Sequence, residues 1–383
     1  MINYYQPSRI NFGAGTLKTL PTIVKKYGKK CLLVTTPNVA PLDNLYRQII
    51  SYLAKEDVEV IHFDKVEPNP TVEIVDEGFD IAKRENVDVI LAVGGGSSID
   101  TAKVLALTFG LQKINWDDMF STYTNPFKKY DRISQKELPL IAVSTTSGTG
   151  SQVTQAAVIS RGIEKNTIFH QSMFSKECIV DPELMITLPK RVTASTAFDA
   201  FTHAFESYIN RKASDFTEIM SEKAMELVIE YLPKVLNDEN NIEYRTKLAT
   251  ADTLAGSALA NSGAAAPHPL SEIVGGVTHI SHGEALAVVF PKFTEYFPDE
   301  NIYKFAKVAR MFNKDLINVE DEKAAHELVE EIKKFLDKVK LRTRLSEFGV
   351  TEESLEKIVS SPVLGFLPFG SKEVLVKILK ESY

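Results

Sequence analysis

The chain has 383 residues, 44% hydrophobic and 25% charged, with a formal net charge of -7. That is the composition of a soluble globular protein long enough for two cores, and its acidic balance argues against nucleic acid or an anionic membrane as the partner. Two cysteines without paired spacing, Cys31 and Cys178, argue against a disulfide framework or a cysteine-based zinc site and suit a cytoplasmic setting. The first seven residues have neither a basic nor an apolar signal region, and runs such as Ala285 to Phe290 are too short to span a bilayer.

In chain order, Cys31 to Thr35 is a short apolar, β-branched run, followed by a helical pattern from Leu45 to Leu53. Val58 to Phe63 repeats the strand signal and Val72 to Arg84 the helical one. Val87 to Val93 is a third strand of the fully buried type, running into Gly94, Gly95 and Gly96 and a further helix. Leu140 to Ser144 is a fourth. Such alternation predicts a parallel sheet covered by helices on both faces. Val153 to Phe169, with Arg161 and Gly162 at its centre, reads as a hairpin appended to that sheet. Beyond Asp181–Pro189 the pattern is helical almost throughout, broken mainly at Val277–Ile280 and Leu364–Gly370. The predicted organisation is an α/β domain over 1–185 and an all-α domain over 186–383.

Two loops at predicted strand ends carry binding chemistry. Gly94, Gly95, Gly96 and Ser97 form a strand-to-helix turn where a backbone without Cβ atoms can approach a pyrophosphate at the helix N-terminus. The second loop, Ser144 to Gln152, has six hydroxyls, those of Thr145, Thr146 and Thr149 among them. Both loops open at the same edge of the sheet, which favours a dinucleotide over solvated turns. Asp100 and Lys103, three apart on the helix after the glycines, fit an exposed surface pair as well as a place near a cofactor.

The helical half offers a different set. Asp199 and His203 are four apart in a helical stretch and share a face, while His268 and His282 lie at the edges of further helical segments. One carboxylate and three imidazoles suit a borderline divalent ion, zinc or ferrous iron. Taken pair by pair, the same residues also fit a solvated helix pair and partly buried histidines.

Several segments, in order, resemble the iron-containing (group III) alcohol dehydrogenases of the dehydroquinate synthase-like fold. Gly94 to Lys103 is similar to their GGGSxxDxxK turn, Pro68 to Thr71 to their PNPT segment, and Thr145 to Ser151 to their TTxGTGSE loop. Asp181 to Leu184 resembles DPEL, Asp199 to Glu206 resembles DAxxHxxE, and His282 to Glu284 resembles HGE. The resemblance runs from Phe12 to at least Pro291 and implies a Rossmann-like dinucleotide-binding domain followed by an all-α metal-binding domain.

It further implies that Asp199, His203, His268 and His282 hold Fe2+, or alternatively Zn2+, and that His268 rather than His279 is the third ligand. The implied reaction is reversible hydride transfer between an alcohol, or its aldehyde or ketone, and NAD or NADP. The implied cofactor contacts are Gly94, Gly95, Gly96, Ser97, Asp100, Thr145, Thr146, Thr149, Lys165 and Thr36, and the implied assembly is a homodimer. Three positions depart from the family pattern. Glu272 stands where many members have a histidine near the nicotinamide, so Glu272 or His279 is the candidate proton relay. Gln152 replaces the loop's final Glu. Thr36 replaces an acidic residue common in NAD-selective members and would not repel a 2′-phosphate. The alternatives are a zinc polyol- or glycerol-type dehydrogenase, a dehydroquinate synthase-like lyase and a catalytically impaired binding protein. The lyase is disfavoured because no Lys or Arg lies within 194–210 or 254–290 to bind a phosphorylated sugar.

Overall fold

The computed structural model describes residues 3–367 and 369–383. It comprises two compact units, one of Tyr4–Thr187 and one built on Leu188–Tyr383.

The first unit is the predicted α/β domain. Its strands are β1 (Arg9–Phe12), β2 (Lys30–Val34), β3 (Glu59–Phe63), β4 (Val89–Gly94), β5 (Leu140–Ser144), β6 (Ala156–Arg161), β7 (Glu164–Phe169) and β8 (Glu177–Val180). Its helices are α1 (Leu20–Tyr27), α2 (Asp43–Ala54), α3 (Val72–Glu85), α4 (Gly96–Thr108) and α5 (Trp116–Thr122). Six strands form a parallel sheet in the order β1-β8-β5-β4-β2-β3. The central strands are buried on both faces, which is why their sequences are unbroken apolar runs. Cys31, Leu33, Leu91, Val93, Ile141 and Val143 share a core with Leu20, Val24, Tyr46, Ile49 and Leu53 of α1 and α2. Helix α4 packs on β2, β4 and β5.

Two expectations need correction. The hairpin β6–β7 is present, but it forms its own antiparallel two-stranded sheet instead of extending the parallel one. It lies against α4, where the Asp100 carboxylate accepts a hydrogen bond from Val158 N at 2.9 Å and fixes β6 away from the sheet edge. The parallel sheet also has two strands, β1 and β8, that periodicity did not reveal. Each has four residues, too few for a pattern to emerge.

The second unit contains α6 (Lys190–Ile209), α7 (Asp215–Asn237), α8 (Ile242–Ser262), α9 (Pro267–Thr278), α10 (His282–Tyr296), α11 (Ile302–Phe312), α12 (Asp321–Lys338), α13 (Glu352–Val359) and α14 (Lys372–Glu381). Helix α6 is its axis, packed by α7, α8 and α10. It is buried around nearly its whole circumference, so it shows no single apolar stripe. Phe198, Phe201 and Phe205 meet Phe290 edge-on, and Phe205 also meets Phe305. Each such ring contributes roughly 1.5–3 kcal/mol by burial. That packing holds rigid a helix that also carries polar side chains inside the protein. No helix among the described residues is long and apolar enough to cross a membrane.

Candidate functional site

In the α/β unit, the chain runs from β2 outward to β3 and then returns to place β4 on the other side of β2. That reversal makes a switch point at the C-terminal ends of β2 and β4, the place where open parallel sheets bind ligands. Thr35 and Thr36 follow β2, the glycine turn follows β4 and the hydroxyl loop follows β5.

The two loops are fitted to each other. A Cβ on Gly96 would come within 2.8 Å of Thr149 Cγ2, and one on Gly95 within 3.3 Å of the Thr146 side chain. These glycines are therefore required by loop-on-loop packing, a reason the sequence alone did not offer. No side chain caps the N-terminus of α4, where Gly95 is the cap residue. Thr36 Oγ1 lies 2.8 Å from Tyr46 Oη, and Thr35 Oγ1 lies 2.9 Å from His62 Nε2. Lys165 is half-buried on β7.

Asp100 and Lys103 are not a surface pair. The Lys103 side chain is completely buried, and its Nζ donates to Ser151 Oγ (2.8 Å), Thr154 Oγ1 (3.1 Å) and the Ala156 carbonyl (2.6 Å). Asp100 accepts from Ser151 Oγ at 2.6 Å as well as from Val158 N. Together they anchor the end of the hydroxyl loop to α4. Burial pushes the Lys103 ammonium down to about 8, and the Asp100 charge offsets only part of that.

In the helical unit, Asp199, His203 and Glu206 occupy one face of α6, His268 lies in the first turn of α9 and His282 begins α10. Three histidine nitrogens converge on Asp199 Oδ1: His268 Nε2 at 3.4 Å, and His203 Nδ1 and His282 Nε2 each at 3.6 Å. Ligand atoms of Asp199, His268 and His282 all lie within 4.8 Å of one another. His203 stands outside that set and stacks on the His268 ring, with centroids 4.3 Å apart.

These separations decide what the cluster is suited to. Asp199 Oδ1 and His268 Nε2 are buried, and among the described residues neither has a well-formed hydrogen bond, their mutual approach being long at 3.4 Å. Leaving two such atoms unsatisfied costs several kcal/mol unless a cation lies among them. Ligands at about 2.1 Å from a tetrahedral ion are spaced by about 3.4 Å, close to the separations found. The donor set therefore fits a divalent ion. Burial alone would raise the Asp199 carboxyl, but His203, His282 and His268 around it hold it down at about 2. It is a carboxylate at any working pH.

The surroundings support this arrangement. Glu206 Oε1 lies 2.5 Å from His268 Nδ1, and Ser271 Oγ lies 3.3 Å from His282 Nδ1 while donating to the His268 carbonyl. A Cβ on Gly283 would overlap the Ser195 carbonyl, so only glycine lets α10 seat directly on α6 and bring His282 inward. Glu272 lies one turn past His268 and is half-buried. His279 ends α9 with a left-handed backbone (φ 60°) and an exposed side chain. No ion pair or hydrogen bond joins its side chain to the cluster among the described residues. Glu206 is the functional residue that sequence reading missed. The available signal was its place at the third step of the 199, 203, 206 face.

Comparison with known proteins agrees with this geometry. Residues 7–182 match the model of iron-containing alcohol dehydrogenases, and residues 193–380 match that of the Fe-containing alcohol dehydrogenase family's C-terminal domain. The chain is 30% identical over 363 residues to the NAD-dependent methanol dehydrogenase of Bacillus methanolicus, covering 94% of this chain and 93% of that one. It is 32% identical over 357 residues to long-chain-alcohol dehydrogenase 1 of Geobacillus thermodenitrificans, covering 93% and 89%. Among solved structures, the alcohol dehydrogenase of an archaeal halo-thermophile from a Red Sea brine pool matches with a TM-score of 0.90 and 32% identity over 100% of this chain and 99% of that one. The chain belongs to the iron-containing alcohol dehydrogenase family. It is an NAD(P)-dependent alcohol dehydrogenase, an oxidoreductase whose Asp199, His268 and His282 could hold the metal.

Proposed function

We propose that Asp199, His203, His268 and His282 together hold the divalent ion, and that the substrate is a small alcohol or the corresponding aldehyde. The observation that carries this reading is the convergence of three imidazole nitrogens on one buried, unsatisfied oxygen of Asp199. When bound, the ion supplies Lewis acidity toward the substrate oxygen, and the nicotinamide supplies or takes up the hydride. The protein's part is to hold the donors and fix the reacting groups.

In the α/β unit, the backbone of Gly94, Gly95, Gly96 and Ser97 is proposed to face the pyrophosphate, with the hydroxyls of Thr145, Thr146 and Thr149 beside it. Thr36, just after β2, is proposed to face the adenosine ribose. Its neutral side chain admits either NAD or NADP. Lys165 is retained as a cofactor contact from the half-buried face of the ribbon. Asp100, whose carboxylate is engaged by Ser151 and Val158, is proposed to hold the loop in shape.

Glu272 is proposed to exchange the alcohol proton through its carboxylate, since it is half-buried one turn from His268. His279 is the weaker candidate because its side chain is exposed and its backbone caps α9. We further propose a cytoplasmic homodimer. Cys31 and Cys178 are both buried and lack the paired spacing of a disulfide framework, which supports a reducing compartment.

The test is reduced-nicotinamide formation from a panel of short alcohols and polyols, with NAD and with NADP, after loading with Fe2+ or Zn2+. Turnover with one or more alcohols is expected, and no turnover under any combination would overturn the reading. Sedimentation analysis settles the dimer. Glu272→Gln should lower kcat and change its pH profile while metal content stays the same. An unchanged profile would remove Glu272 from the relay.

A further inference from the structure

The donors of the cluster are themselves held from behind. Glu206 is completely buried, and among the described residues no Lys or Arg pairs with it. Its Oε1 lies 2.5 Å from His268 Nδ1, and its Oε2 accepts a hydrogen bond from Ala265 N at 2.6 Å. One turn further along α6, Asn210 Nδ2 donates to the Ala264 carbonyl at 2.8 Å. Helix α6 thus holds the 263–266 segment, and through it the start of α9, at two points.

An ionised carboxylate can only accept hydrogen bonds. A hydrogen of the His268 ring is therefore held on Nδ1, so that Nε2, 3.4 Å from Asp199 Oδ1, is the nitrogen left to serve as a ligand. We propose that Glu206 is a positioning residue for the divalent ion, locking His268 in the tautomer that presents Nε2 as a ligand. This rests on the metal reading above and extends it to a residue that does not touch the ion. Ser271 does the same for His282 in a weaker form: its hydroxyl hydrogen goes to the His268 carbonyl, so its oxygen accepts from Nδ1 and leaves Nε2 for the site.

Charge points the same way. Asp199 and Glu206 bring two negative charges into one buried region, and a divalent cation balances both. A site with Asp199 alone would be left one positive charge in excess. Partners behind a ligating histidine commonly set metal affinity by 10–100-fold.

The decisive variant is Glu206→Gln, which keeps the shape and removes one acceptor. If its amide oxygen serves Ala265 N, its NH2 group faces Nδ1 and forces the ring hydrogen onto Nε2, the ligand atom. If it turns the other way, a buried backbone N–H loses its partner. We expect Zn2+ affinity, measured on the cofactor-free protein by competition with a chromogenic chelator, to fall by about 10–100-fold. Ser271→Ala should reduce it less, because its bond at 3.3 Å is longer and neutral. Retention of wild-type Zn2+ affinity by Glu206→Gln would overturn the proposal. Should that variant not fold, histidine 15N signals of the Zn2+-loaded wild type decide the matter. A His268 protonated on Nδ1 supports the lock, and one protonated on Nε2 overturns it. Failure of the wild type to bind Zn2+ or Fe2+ at all would instead strike the metal reading itself.

Discussion

The two functional regions are built on opposite principles. At the ends of β4 and β5, the chain packs against itself: threonines fill the space beside the glycines, and Lys103 and Asp100 are engaged by the loop they hold, while the hydroxyls of Ser98 and Thr101 on α4 are buried without a partner among the described residues. Between α6 and α9, two ligand-type atoms are left unmatched, Asp199 Oδ1 and His268 Nε2 being buried without a well-formed hydrogen bond among the described residues. The loop region is proposed to recognise its ligand by shape. The helical cluster carries an unsatisfied demand that a small cation answers. A ligand read by backbone and hydroxyls calls for a finished surface, whereas an ion needs a gap in the hydrogen bonding.

That contrast can be broken most severely at Asp199. Asp199→Ala removes the oxygen on which the histidines converge, and should abolish metal retention and lower turnover by about a thousandfold, roughly 4 kcal/mol. Metal analysis after gel filtration, with steady-state rates, measures both. Gly283→Ala should come next, because its methyl would overlap the Ser195 carbonyl and push α10 outward. A loss of about 1–3 kcal/mol in denaturant unfolding, together with weaker metal binding, is expected. Equal metal affinity in this variant would show that His282 reaches the site without that close seating.

On the loop side, Lys103 gives a pH signature. Its folded value of about 8 lies below the ordinary lysine value of 10.5, so between these the unfolded chain binds more protons than the folded one. Stability from this group therefore rises as pH increases from about 8 to 10.5, by about 3 kcal/mol in all, while below pH 8 the cost of burying the charge is constant. Lys103→Met should be destabilised through its abandoned acceptors and should lose that rise, as seen in urea midpoints across the alkaline range. The smallest effect is expected at Thr36. Thr36→Asp should lower kcat/KM for NADP relative to NAD by about tenfold, or ~1.4 kcal/mol, through repulsion of a 2′-phosphate. An unchanged ratio would place the ribose elsewhere.

Legibility in the sequence followed burial where the strand was long enough, and the buried but four-residue β8 was missed. Strands β2, β4 and β5 announced themselves because both faces are covered and all but a terminal position are apolar or glycine. Strand β1, with the sequence Arg9, Ile10, Asn11, Phe12, lies at the sheet edge and has no such run. The four candidate ligands were legible by motif order. Glu206 acts through His268, 62 positions away, and no local pattern reports that bond. Lys103 misled for the opposite reason: at i+3 from Asp100 it has surface spacing, yet it lies beneath a ribbon that arrives from residues 151–158.

The geometry of α6 has a consequence for how this protein can diverge. Asp199, His203 and Glu206 share one rigid helix face, so an inserted or deleted residue between them would turn everything beyond it by about 100°. His268 and His282 each stand at the start of a helix, just after a break in helical structure, but the break before α9 is itself tied to α6 through Ala264 and Ala265. Length changes in descendants of this chain are therefore resisted before α9 as well, and α6 between 199 and 206 can change only by substitution. The helix acts as a ruler that heredity can repaint but not recalibrate.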